Sequence, residues 1–269
     1  MATHLASIQG AAPAPRSPWG WALAGGLLGL LGVALVWAPA SWLARAAALG
    51  TQGQVQLLEP RGTLWQGSAR LLLTGGADSR DHTALPTRLR WSLRPAWGGA
   101  QASVASDCCT QGPVALRVRP GWQGLAIVIE DSRLQLPAEL LTGLGTPWNT
   151  VDLQGQLRLA TERLQLQWQS GRLLSQGRVR LEALAVSSRL SPLKPLGSYR
   201  LDITGGDSPR LELSTLQGDL RLSGQGQWVG SRLHFRGEAS ASPEREAALS
   251  NLLNILGRRQ GARSLITFG

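Results

Sequence analysis

The stretch Val151-Asp152-Leu153-Gln154-Gly155-Gln156-Leu157-Arg158-Leu159 sets Val151, Leu153, Gly155, Leu157 and Leu159 on one side of an extended chain and Asp152, Gln154, Gln156 and Arg158 on the other. Side chains alternate across a strand and recur about every 3.6 residues on a helix, so this order fits a strand with one buried face. Further runs of the same kind centre on Leu164, Leu166 and Trp168, on Val179 and Leu181, on Tyr199, Leu201 and Ile203, on Leu211 and Leu213, on Leu220 and Leu222, and on Leu233 and Phe235. They recur at intervals of roughly 9 to 20 residues, which is meander spacing; parallel crossovers would need helical segments between them.

The first half reads the same way from Val55 onward. In Arg88-Leu89-Arg90-Trp91-Ser92-Leu93-Arg94, Leu89, Trp91 and Leu93 share a face opposite Arg88, Arg90 and Arg94. Val114, Leu116 and Val118 stand opposite Arg117 and Arg119, and the arginine stems lie along the sheet with their heads in water. Leu125 to Ile129 is apolar on both faces and reads as a central, covered strand. Pro137-Ala138-Glu139-Leu140-Leu141 has the form of a short helix, and the Gly- and Pro-containing segment 143–150 is either a hinge between two β segments or a long turn. Near the C-terminus Ser242 is placed as an N-cap, Pro243 as the first helical residue, and Leu249, Leu252, Leu253 and Leu256 as an apolar stripe ended by Gly257. Leu265 to Phe268 adds a last short strand.

Ahead of this sheet lies Trp19 to Trp42, with no charged residue between Arg16 and Arg45. As a helix it is about 36 Å long, enough to cross a hydrocarbon core of about 30 Å with some tilt. Trp19, Trp21, Trp37 and Trp42 stand towards its ends, where indole rings favour the headgroup boundary. Ala38-Pro39-Ala40 imitates a signal-peptide cleavage pattern, but the apolar run is too long and its leading segment too poor in basic residues for a secretory signal. The expected organisation is a disordered cytoplasmic tail at 1–18, a transmembrane helix at 19–43 and a periplasmic β-rich domain at 44–269. The fold class is then mainly β: a single membrane helix, a curved antiparallel meander or sandwich-like domain, and a C-terminal amphipathic helix.

The net charge is +10, yet the arginines are scattered singly along the strands and do not cluster as in a nucleic-acid-binding face. The scattered charge suits a solvated face, with anionic lipid or an acidic partner as the functional alternative. The only cysteines, Cys108 and Cys109, are adjacent; a strained vicinal bridge, an intermolecular bond and two free thiols are the three alternatives. His82, with Asp78 and Asp81 nearby, reads as a solvated loop rather than a metal or acid/base site, and His234 alternates onto a polar face. Phosphate-loop, zinc and nucleophile-elbow motifs are missing, and the carboxylates are unpaired, so neither an enzyme nor a cofactor is expected.

Four stretches together resemble the type II secretion system protein N family: Gly62-Thr63-Leu64-Trp65-Gln66-Gly67, Trp91-Ser92-Leu93, Pro195-Leu196-Gly197-Ser198-Tyr199, and Asn251-Leu252-Leu253 leading to Gly257-Arg258-Arg259 and Gly261. The resemblance implies an inner-membrane protein whose periplasmic domain is accessory to export across the outer membrane, partnered by other inner-membrane and periplasmic subunits, with no catalytic residues. The rival reading is an AsmA-like envelope protein that holds lipid in an apolar β trough.

Overall fold

The computed structural model describes residues 19–76, 79–121, 124–146, 148–169, 172–230 and 232–269. The tail read at 1–18, Asp78 and Pro147 lie outside the described residues. Residues 1–38 and 39–269 are two compact units. In the first, helix α1 (Trp19–Val36) has neither a charged nor a buried residue.

The apolar run does not form one helix. α1 stops at Val36, and a second helix, α2 (Ala40–Gly50), starts after Pro39, which is extended at ψ 150°. Proline has no N–H to continue the helical ladder, so the break falls where the ring sits. Trp42 and Leu43 therefore belong to α2.

Fifteen strands follow: β1 (Val55–Gly62), β2 (Gln66–Thr74), β3 (His82–Ala96), β4 (Gly99–Ser106), β5 (Val114–Gly121), β6 (Gly124–Ile129), β7 (Ser132–Pro137), β8 (Leu153–Gln169), β9 (Arg172–Ser188), β10 (Gly197–Gly206), β11 (Arg210–Gly218), β12 (Leu220–Val229), β13 (Arg232–Ala241), β14 (Arg258–Gln260) and β15 (Arg263–Phe268). They make one open antiparallel sheet in the order β1 to β6, β8 to β13, β15, β14. β7 pairs with residues 156–161 of the long strand β8, and β6 pairs with residues 164–169.

Each strand keeps its alternation, and bulges absorb the mismatches. Glu59 (φ 48°) and Arg163 (φ 47°) adopt left-handed conformations where the β1–β2 and β8–β9 registers shift. Because one extra residue at a bulge restores the inward and outward sides, most leucines keep to one face and most arginines to the other, with Leu58, Leu174 and Leu265 on the arginine side and Arg259 on the leucine side among the exceptions.

A sheet with one apolar face needs cover, and three segments supply it. At the N-terminal end α2 brings Ala40 and Leu43 onto Ala69, Trp91, Leu57 and Leu89. In the middle, a 3-10 helix at Ala138–Leu144 seats Leu140 against Leu85 and Cys109. At the C-terminal end, helix α4 (Glu246–Leu256) buries Leu249, Leu252 and Leu253 among Leu196, Tyr199, Leu220, Phe235 and Ile266. Between these covers, Leu116, Val118, Ile127, Ile129, Leu164 and Leu166 are only half-buried.

Several local expectations are modified. Pro137 opens a 3-10 helix instead of an α-helix. Segment 143–150 does not separate two β segments, because Pro39–Gly269 is one unit; Gly143 lies close against the backbone of Leu73 and Thr83, and a short helix α3 (Trp148–Val151) follows. β6 is internal in the sheet, yet Leu125 is 37% exposed, so no layer covers it as read. Ser242 caps nothing with its side chain, which bonds Asp219 at 3.1 Å, and a 3-10 turn Pro243–Arg245 precedes α4.

Leu253 is 0% exposed. Leu253→Ala is expected to lower the unfolding free energy by about 2–5 kcal/mol. Leu166→Ala, on the uncovered middle, is expected to cost about 1 kcal/mol. Urea denaturation of the detergent-solubilised protein, followed by tryptophan fluorescence, compares the two.

Candidate functional site

The residues quoted for the family resemblance turn out to be junctions of the fold. Gly62 adopts φ 88° and opens the β1–β2 turn, in which the Thr63 N–H donates to the Gln66 carbonyl at 2.8 Å. The Trp91 indole N–H donates to the Leu64 carbonyl at 3.1 Å, and the Leu93 N–H to the Trp65 carbonyl at 2.6 Å. A Cβ on Gly67 would stand 2.5 Å from the Trp91 ring, so only glycine leaves room for it. In the third stretch Leu196 and Tyr199 are core residues, and the Tyr199 hydroxyl donates to the Leu220 carbonyl at 3.0 Å. Burial pushes the Tyr199 phenol well above its ordinary value. In the fourth, Arg259 bonds Glu246 at 3.0 Å, the Ser250 carbonyl at 3.3 Å and the Gly261 carbonyl at 2.9 Å, so one guanidinium ties α4 to the β14–β15 hairpin.

What remains for contact is the sheet's surface. On the leucine face the uncovered patch runs from β5 through β8, ending at Trp168, which is 49% exposed. On the opposite face the side chains form rows in register: Arg180, Asp202, Glu212, Gln225, Arg236 and Thr267 lie across β9 to β15. Arg180 bonds Asp202 at 2.8 Å and Arg200 bonds Glu182 at 2.9 Å. The Asp202 carboxylate raises the Arg180 pKa, holding the guanidinium charged. Such partly exposed pairs fix side-chain positions more than they add stability.

Over β11, β12, β13 and β15 this polar face is concave and encloses roughly 1350 Å³. Arg210, Glu212, Gln225, Gln227, His234, Arg236 and Glu238 line it, together with the apolar Val229, Leu265 and Phe268. The polar residues alternate with the leucines that mark the strands, so their common side was legible; the concavity, which depends on pairing, was not.

The remaining candidates are dispersed. Cys108 and Cys109 are joined to each other in the turn after β4, with Cys109 buried against Leu85 and Leu140 and Cys108 exposed. His82 bonds the Arg80 carbonyl at 2.9 Å, while Asp81 accepts from Asn149 at 2.8 Å. Among the described residues no cluster of His, Cys, Asp or Glu is arranged to hold a metal. Of the four boundary tryptophans, Trp19 and Trp21 lie on α1, Trp37 just after it, and Trp42 on α2.

A long one-layer sheet with a leucine side and an arginine side defines a β-rich module built to present surface. The family model for type II secretion system (T2SS), protein N, matches residues 53–265, and the chain belongs to this family. The family is an accessory component of the secretion machinery, which favours the secretion reading over the lipid trough. No curated protein and no solved structure matches the chain.

Gly67→Ala is expected to displace Trp91 and cost about 1–3 kcal/mol in urea denaturation. Tyr199 is the only tyrosine. Its phenol ionises first in the unfolded chain, so stability is level below the usual value of 10.0 and falls as pH rises above it. Tyr199→Phe is expected to remove that part of the slope, measured as midpoint against pH.

Proposed function

We propose that the chain is a single-pass subunit of the inner membrane that works by contact, without enzymatic chemistry. Residues 1–18 form its cytoplasmic tail, helix α1 at Trp19–Val36 its anchor, and the part from Pro39 onward a periplasmic domain that meets other inner-membrane and periplasmic subunits of the secretion machinery. The observation that carries this reading is α1, whose 18 residues include no charge and no buried side chain, in a chain of the protein N family. A helix of that length spans ~27 Å, close to a hydrocarbon core. Trp19 and Trp21 then sit at one interface and Trp37 and Trp42 near the other. An oxidising periplasm keeps Cys108 and Cys109 bonded to each other.

Tethering confines the sheet to a thin layer beside the bilayer and raises its effective concentration towards neighbouring subunits. The uncovered leucine patch offers apolar contact, and the arginine face offers directed polar contact.

The test is to remove the anchor without harming the sheet. Removal must stop before Pro39, because Ala40 and Leu43 of α2 belong to the core. A version lacking residues 1–38, exported by a cleavable secretory signal, is expected to keep the far-UV dichroism of the β domain and to lose most secretion of cargo into the medium. Undiminished secretion from a soluble, folded domain would defeat the tethering idea.

A further inference from the structure

The polar trough over β11 to β15 is the strongest unassigned feature of the surface. Arg210, Arg221, Arg232, Arg236, Arg258 and Arg263 share its face, against Glu212 and Glu238. Of these only Arg263 is neutralised within the face, by Glu238 at 3.3 Å. Arg210 and Arg236, on the trough itself, have no ion pair among the described residues. A concave surface that gathers unpaired guanidiniums is built for an anion, because a guanidinium fork matches a carboxylate.

Shape and side chains narrow the class. Four strands at about 4.8 Å spacing make the trough ~14 Å across, about the length of four extended residues. Gln225 and Gln227 supply amide donors and acceptors suited to a polypeptide backbone. Of the aromatic rings that line the trough, Phe235 is buried on the leucine side, which leaves His234 and Phe268, fewer than the run of stacking platforms that single-stranded nucleic acid uses. A bilayer is flat and meets the rims, whereas a chain segment reaches the floor.

We infer that the trough docks an acidic, extended segment of a partner protein, with Arg210 and Arg236 pairing its carboxylates and Gln225 and Gln227 bonding its backbone. That the segment belongs to a secretion subunit rests on the function proposed above; the groove itself is read out independently with purified components.

The test is fluorescence anisotropy of the full-length protein in detergent with a labelled Ser-Glu-Ser-Glu-Ser-Glu-Ser peptide and its Lys-for-Glu counterpart. Arg210→Gln with Arg236→Gln is compared with Arg94→Gln plus Arg158→Gln, an equal charge change on the same face outside the trough, and far-UV dichroism checks that both are folded. The acidic peptide is expected to bind and the basic one not to, with Kd raised about tenfold by the trough pair and less than about twofold by the distant pair. Equal weakening by both pairs, no binding of the acidic peptide, or binding of both peptides would overturn the inference. So would phosphatidylglycerol vesicles that bind through Arg210 and Arg236 and are not displaced by the acidic peptide. Normal export by the Arg210→Gln, Arg236→Gln protein, despite its weakened peptide binding, would refute the secretion role of the groove while leaving the groove in place.

Discussion

The constraint on which the structure depends is that most strands are apolar chiefly on one side, while the strands form a single layer. In a sandwich two such layers cover each other. Here the apolar side must find cover from segments that are not strands, and each comes from a different place in the chain: α2 before the sheet, the 3-10 helix between β7 and β8, and α4 between β13 and β14. The deepest burial follows these segments. Leu249 and Leu253 are fully enclosed, whereas Leu116, Ile127 and Leu166, equally apolar and equally well paired in the ladder, remain half in water. Hydrogen bonding holds the sheet together from end to end, and packing makes only parts of it rigid.

Much of this was legible in the residues. Alternation located strands such as those at Arg88–Arg94 and Val151–Leu159, the onset at Val55, and the C-terminal stripe Leu249, Leu252 and Leu253, because burial on one side leaves a periodic trace. Alternation is the same in one layer as in two, however, so the missing second layer left no mark on the sequence. α2 was obscured by composition: Ala40, Trp42 and Leu43 continue the hydropathy of α1, and only Pro39 hints that a different helix has begun. β14 was invisible for the opposite reason. Arg258-Arg259-Gln260 has no apolar residue at all, and it is a strand because Gly261 turns it back onto β15.

The family's quoted residues illustrate how a motif and a site can differ. Gly62, Gly67, Trp91, Gly197, Tyr199 and Arg259 hold turns and covers in place, and none of them faces the broad surfaces that a partner would meet. The exposed faces are drawn from residues with no motif at all: leucines left uncovered at the centre and polar residues that fill the alternate positions of the strands. The architecture thus rests on a few junctions, while the interleaved side chains of the strands make up the two broad faces.

Strand order has one further consequence. Apart from the contacts of β6 with β8 and of β13 with β15, strands pair with their neighbours in sequence, β7 and β14 only with the strand made just after them. Loops to be closed are short, and entropy is surrendered a hairpin at a time instead of in one long-range search. A polypeptide delivered gradually, one end first, can zip up as it arrives, with every strand after the first except β7 and β14 finding a template already waiting.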